Sequence, residues 1–130
     1  MIRIYIREDQ STGRFSVLAS GHAGTAPAGQ DIVCAGVSIL LDTLAEAMYR
    51  GQDGGSMTVH TILRESGMYR LEGQCHRGAD GVDGPTVLQT VAAGLALMQA
   101  AHPEAVALDE RITSEGFYPD GKIIDTGSPT

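Results

Sequence analysis

A chain of 130 residues, 42% of them apolar and 19% charged, is long enough to close one hydrophobic core without staples and too short for two. Its formal charge of −7 argues against a nucleic-acid backbone as the main partner, because that affinity rests on Lys and Arg neutralising phosphates; a basic protein partner suits it better. No apolar run is long enough to cross a bilayer, and the opening MIRIYIRED alternates instead of forming a secretory signal, so a cytoplasmic location with Cys34 and Cys75 as free thiols is expected.

Ile2, Ile4 and Ile6 alternate with Arg3, Tyr5 and Arg7, the period of two that marks a strand with one buried face. Asp9 to Gly13 supplies turn residues, and Phe15, Val17 and Ala19 then alternate with Ser16, Leu18 and Ser20, completing a hairpin that ends at Gly21-His22. The next stretch is built from small residues: Gly24, Thr25, Ala26, Pro27, Ala28, Gly29 and Gln30. It is either a plain strand-to-helix connection or a mobile flap whose backbone adapts to a bound peptide, and composition does not choose between them.

Asp31 is a good N-cap for a helix from about Ile32 to Tyr49, with Val33, Val37, Leu40, Leu41, Leu44 and Met48 as its apolar stripe and the glycines of GQDGG as its break. Two strands follow in MTVHTILRES and MYRLEGQCHR, joined at Ser66-Gly67, and Cys75 falls in step with Tyr69, Leu71 and Gly73 as a small packing residue. Asp83, Gly84 and Pro85 open a second helix with Val87, Leu88, Val91, Leu95 and Met98 on its buried face, stopped by His102-Pro103. A short strand, Ala105 to Leu108, returns to the sheet.

The order ββαββαβ predicts an α+β fold, a mostly antiparallel sheet with two helices packed on one face. One domain would occupy residues 1–110, and residues 111–130, rich in Gly and Pro, would form an irregular C-terminal extension.

The chemistry concentrates at the end of the first hairpin and the start of the first helix. A cysteine attacks as its thiolate, and a helix N-terminus and a neighbouring imidazolium both favour that form. Cys34, three residues after the cap, has the first; His22, twelve residues earlier at the strand end, is placed to supply the second as general base. The helix amides would be natural oxyanion donors. Asp31 is read first as a cap, with orientation of His22 as a second duty; Ser38, one turn after Cys34, either bonds near the site or back-bonds to its own helix.

Other chemistries fit less well. His60, His76 and His102 are scattered, so no metal is assigned, and GTAPAGQD lacks both the Lys-Ser/Thr of a P-loop and dinucleotide glycine spacing, so no nucleotide or other cofactor is expected. Glu8, Asp9, Glu46 and Asp53 read as a solvated acidic surface.

Gly21-His22-Ala23 and Asp31-Ile32-Val33-Cys34-Ala35-Gly36-Val37-Ser38 closely resemble the signature of the ribosomal-processing cysteine proteases, also called the Prp or YsxB-like family. The resemblance implies a homodimeric peptidase that removes a short N-terminal extension from a large-subunit ribosomal protein. His22 would be its base and Cys34 its nucleophile, with Asp31 and Ser38 at supporting positions and the 24–30 loop as a flap over the substrate. Gly36, where typical members carry alanine, and the extension after the last strand are departures from that pattern. The rival reading is a non-enzymatic, ribosome-assembly-associated protein that holds a basic peptide in the same groove.

Overall fold

The structure is a computed structural model in which residues 1–24 and 31–114 are described. The elements are β1 (Ile2–Asp9), β2 (Arg14–Ser20), α1 (Ile32–Gly54), β3 (Met57–Glu65), β4 (Met68–Cys75), α2 (Gly84–Ala101) and β5 (Val106–Thr113). They form one five-stranded sheet in the order β3-β4-β2-β1-β5, antiparallel throughout except where β5 runs parallel to β1. This is the expected α+β class.

The two-residue period buries Ile2, Ile4, Ile6, Phe15, Val17, Ala19 and Leu71 on one sheet face. Val33, Val37, Leu41, Leu44 and Met48 of α1 and Leu88, Val91 and Leu95 of α2 join them in a single core. Each fully buried side chain of this size contributes about 1.5–3 kcal/mol relative to exposure. Among the described residues α1 is the one helix that by length and mean hydropathy would meet the requirement for a membrane span, but its apolar stripe packs on the sheet.

Three expectations are corrected. The first helix does not stop at Tyr49; it continues through Gly51 and Gly54 to a left-handed cap at Gly55 (φ 86°) whose amide donates to the Gly51 carbonyl. Gly51 is held in helix by packing: a Cβ there would meet Met57 and the Ser56 hydroxyl at 2.6–2.7 Å, so close approach of β3 outweighs glycine's poor propensity.

The last strand runs on to Thr113, since register with β1 from Ile2↔Val106 to Asp9↔Thr113 supplies backbone bonds that the polar DERIT sequence does not advertise. Residues 115–130 of the expected extension lie outside the described residues.

Glu8 and Asp9 are not a solvated surface; each is 2% exposed, and so is Arg7. Glu8 points into the helix-covered side, where burial pushes its carboxyl pKa up and the Gln89 side chain offsets part of that rise. Asp9 accepts from the amide and hydroxyl of Ser11 at 2.9 and 2.6 Å. Arg7 donates to the carbonyls of Ile6 and Asp109 at 3.0 and 2.9 Å and pairs with the Asp109 carboxylate at 3.4 Å.

The register places three chain segments at one sheet end. Arg3 pairs with Ser20 and Ser20 with Met68, so β1 starts, β2 ends and β4 starts side by side. Here the hairpin end carrying His22, the first turn of α1 and the β3–β4 turn come together.

Candidate active site

Asp31 opens α1 with extended backbone (φ −81°, ψ 105°), and its carboxylate accepts from the amides of Val33 and Cys34 at 2.9 and 3.2 Å. The helical ladder begins with the Ala35 amide on the Asp31 carbonyl at 3.1 Å. Cys34 therefore sits in a pinned first turn, half-buried, at the positive end of the helix. Because Asp31 already occupies the Val33 and Cys34 amides, these are not the free oxyanion donors expected from the sequence. The donor at the sulfur comes from across the cleft: the Ala23 amide lies 3.1 Å from Cys34 Sγ.

His22, exposed, and Cys34 line one small cavity, with about 50 Å³ of space that water can occupy. Its apolar wall is Ile2, Ala19, Val37 and Leu41, and its polar rim includes Ser38 and Tyr69. The fold thus brings together His22, Cys34 and Ser38, whereas Asp31 holds the helix end and is not among the described residues lining the cavity. Of the expected flap, Gly24 is described with φ 73°, and Thr25, Ala26, Pro27, Ala28, Gly29 and Gln30 lie outside the described residues.

Ser38 lies on the cavity rim beside Tyr69 of β4, and its hydroxyl is among the groups that act on the Tyr69 phenol. Tyr69 in turn donates to Asp42 Oδ1 at 3.2 Å, and Asp42 pairs with Arg64 at 3.6 Å. Tyr69 has one proton, and it is directed at Asp42. Partial burial is the first cause pushing its phenol pKa up, and the Asp42 charge adds to it.

The second thiol is a different case. Cys75 is 5% exposed, its sulfur 3.7 Å from Met57 Sδ, and its pKa is pushed up to about 12, first by burial and then by the charges of Glu8 and Asp83. It packs as the strand period indicates and is chemically quiet. No group of three or more His, Cys, Asp or Glu side chains able to hold a metal occurs among the described residues.

Comparison with known proteins decides the family. The model of the cysteine protease Prp family matches residues 1–107. The chain belongs to the Prp family. It is therefore a cysteine peptidase. A search of curated proteins gave no match.

Among solved structures, the essential ribosomal processing protease Prp of S. aureus, in complex with a covalently linked product peptide, superposes with a TM-score of 0.66 at 25% identity, covering 85% of this chain and 100% of that one. SMU.848 of Streptococcus mutans gives 0.61 at 23% identity over 87% and 96% of the two chains. The S. aureus protease with a substrate peptide gives 0.56 at 21% over 85% and 100%. The latter two likenesses establish the fold.

Three parts of this cavity were not visible in the sequence. The Ala23 amide acts through backbone and carries no residue-type signal. Gly67 and Tyr69 arrive from the β3–β4 hairpin, whose register against β2 (Ser20↔Met68, Ala19↔Tyr69) is set by tertiary pairing.

Proposed function

We propose that this peptidase cleaves by a Cys34/His22 dyad and removes a short N-terminal extension from the large-subunit ribosomal protein numbered twenty-seven. The observation that carries the reading is the shared cavity: in a chain of the Prp family, His22 and the helix-start Cys34 line one cleft, with a backbone amide 3.1 Å from the sulfur. The processing substrate rests on the likeness to the S. aureus enzyme, a ribosomal processing protease. The net charge of −7 suits a basic peptide.

In this mechanism Cys34 Sγ attacks the scissile carbonyl carbon while its proton passes to His22. The tetrahedral oxyanion collapses, the C–N bond breaks, and the imidazolium gives its proton to the leaving amine. A water, deprotonated by His22, then attacks the thioester carbonyl, and the acid leaves as the thiol is restored. The Ala23 amide stabilises negative charge at the sulfur before attack. Asp31 keeps Cys34 at the helix start, and Ser38 and Tyr69 share the cavity rim.

The chain is read as a cytoplasmic homodimer. Self-association is supported by large apolar side chains left on the helical layer, Ile32 (78% exposed), Ile39 (62%) and Leu97 (71%), on a molecule with few other reasons to expose them.

Cleavage of a peptide copying the extended ribosomal N-terminus tests the reading, with sedimentation giving the mass. Cys34→Ala is expected to fall to about one part in 10³ of the parent rate or below, with the fold intact. Turnover by Cys34→Ala equal to the parent would sink the assignment, and a sedimentation mass of one chain at working concentration would remove the dimer.

A further inference from the structure

We infer that Gly67, at the tip of the β3–β4 hairpin, is a positioning residue for the imidazole of His22. This deepens the dyad reading and rests on it. Gly67 lies 45 residues from His22 in sequence yet lines the same cavity.

Three features of Gly67 converge on His22. Its φ is +75°, a left-handed turn conformation that glycine adopts without cost. Its carbonyl accepts the Gly21 amide at 2.9 Å, tying the residue immediately before His22 to the turn. Finally, the face on which a side chain would stand is occupied by the imidazole: a Cβ on Gly67 would lie 2.9 Å from His22 Nε2 and 3.2 Å from Cε1.

The imidazole therefore rests on bare backbone. A turn needs glycine for its φ alone, but at this turn the missing side chain is also the seat of the ring. His22 is on a strand end and exposed, where rotamers interconvert freely, so contact with Gly67 restricts the orientations from which it can reach the Cys34 proton.

Gly67→Asn separates the two needs, because asparagine tolerates the left-handed backbone while its Cβ still displaces the ring. With His22 present, Gly67→Asn is expected to lower peptide cleavage by about 10²-fold, the scale of an ångström-sized misplacement. The pH profile of Cys34 alkylation by iodoacetamide should move toward that of His22→Ala. In a His22→Ala background the same substitution should leave Cys34 alkylation unchanged, since its target is gone.

A parent-like cleavage rate and pH profile for Gly67→Asn overturns the proposal, as does an equal effect in both backgrounds, which is the signature of a merely structural turn residue. If His22→Ala itself cleaves like the parent, the dyad reading falls and takes this inference with it, so the two failures are told apart by one single variant. Should Gly67→Asn not fold, as judged by rapid alkylation of Cys75, the unmodified protein decides: a cross-relaxation contact between His22 Hε1 and the Gly67 α-protons supports the seat, and its absence overturns it.

Discussion

Asp31 shows how one side chain can fix the turn that carries a cysteine. Its carboxylate accepts the amides of Val33 and Cys34, two of the donors that a helix start leaves unpaired, and so fixes the turn from which Cys34 Sγ projects. A capping oxygen is all that this geometry requires. Asp31→Asn should therefore keep thermal stability within a few tenths of a kcal/mol, while Asp31→Ala should cost about 1 kcal/mol, the usual loss of a cap. Thermal melts of the two variants check this, and a loss in Asn as large as in Ala would show that the negative charge, not the oxygen, is what the helix start needs.

At the scale of elements, α1 and α2 approach through two glycines that receive each other's side chains. Gly36 lies under the end of Met98, where a Cβ would meet Cε at 2.9 Å, and Gly94 lies under Leu40, where it would meet Cδ2 at 2.7 Å. The two contacts are not equivalent. A methionine end can swing aside, so Gly36→Ala should gain up to ~1 kcal/mol of helix propensity. A branched leucine cannot yield as easily, and overpacking there costs about 1–3 kcal/mol, which outweighs the same gain and makes Gly94→Ala destabilising. Opposite shifts in melting temperature are the expected result; a rise in both would mean that Leu40 also repacks freely.

The same elements show what a single sequence can reveal. The alternation of Ile2, Ile4 and Ile6 and the stripe from Val33 to Met48 announce themselves because burial imposes a period on residue type. The end of α1 and the length of β5 were hidden, because Gly51 is held by packing against β3 and Arg111 to Thr113 by pairing with β1. His22 and Cys34 stood out as reactive types at element ends. Their supports did not: the Ala23 amide carries no residue-type signal, and Gly67 reads in the sequence as an ordinary turn glycine until the fold sets it against His22.

Across the whole molecule the sheet separates the cleft from the buried Glu8. The cleft lies where β1 starts and β2 ends, and Glu8 lies at the other end of β1, beside Gln89 of α2, whose side chain favours the carboxylate, while Glu110 repels it. Its carboxyl pKa is raised, first by burial. A raised acid pKa means that the folded chain keeps a proton the unfolded chain has already released. Stability from this group is thus greatest below the unfolded value of 4.5 and declines as pH rises through the window up to the folded pKa, remaining low above it. Glu8→Gln keeps the shape and polarity of the side chain beside Gln89 and removes the charge. It should raise stability by on the order of 1 kcal/mol at neutral pH, with the gain shrinking toward pH 4, where the parent carboxyl is protonated in the fold. Peptidase activity should stay unchanged, because no cleft residue is altered. Denaturant titrations of both proteins at several pH values measure the difference, and a gain that is constant with pH would show that folding does not shift the Glu8 carboxyl.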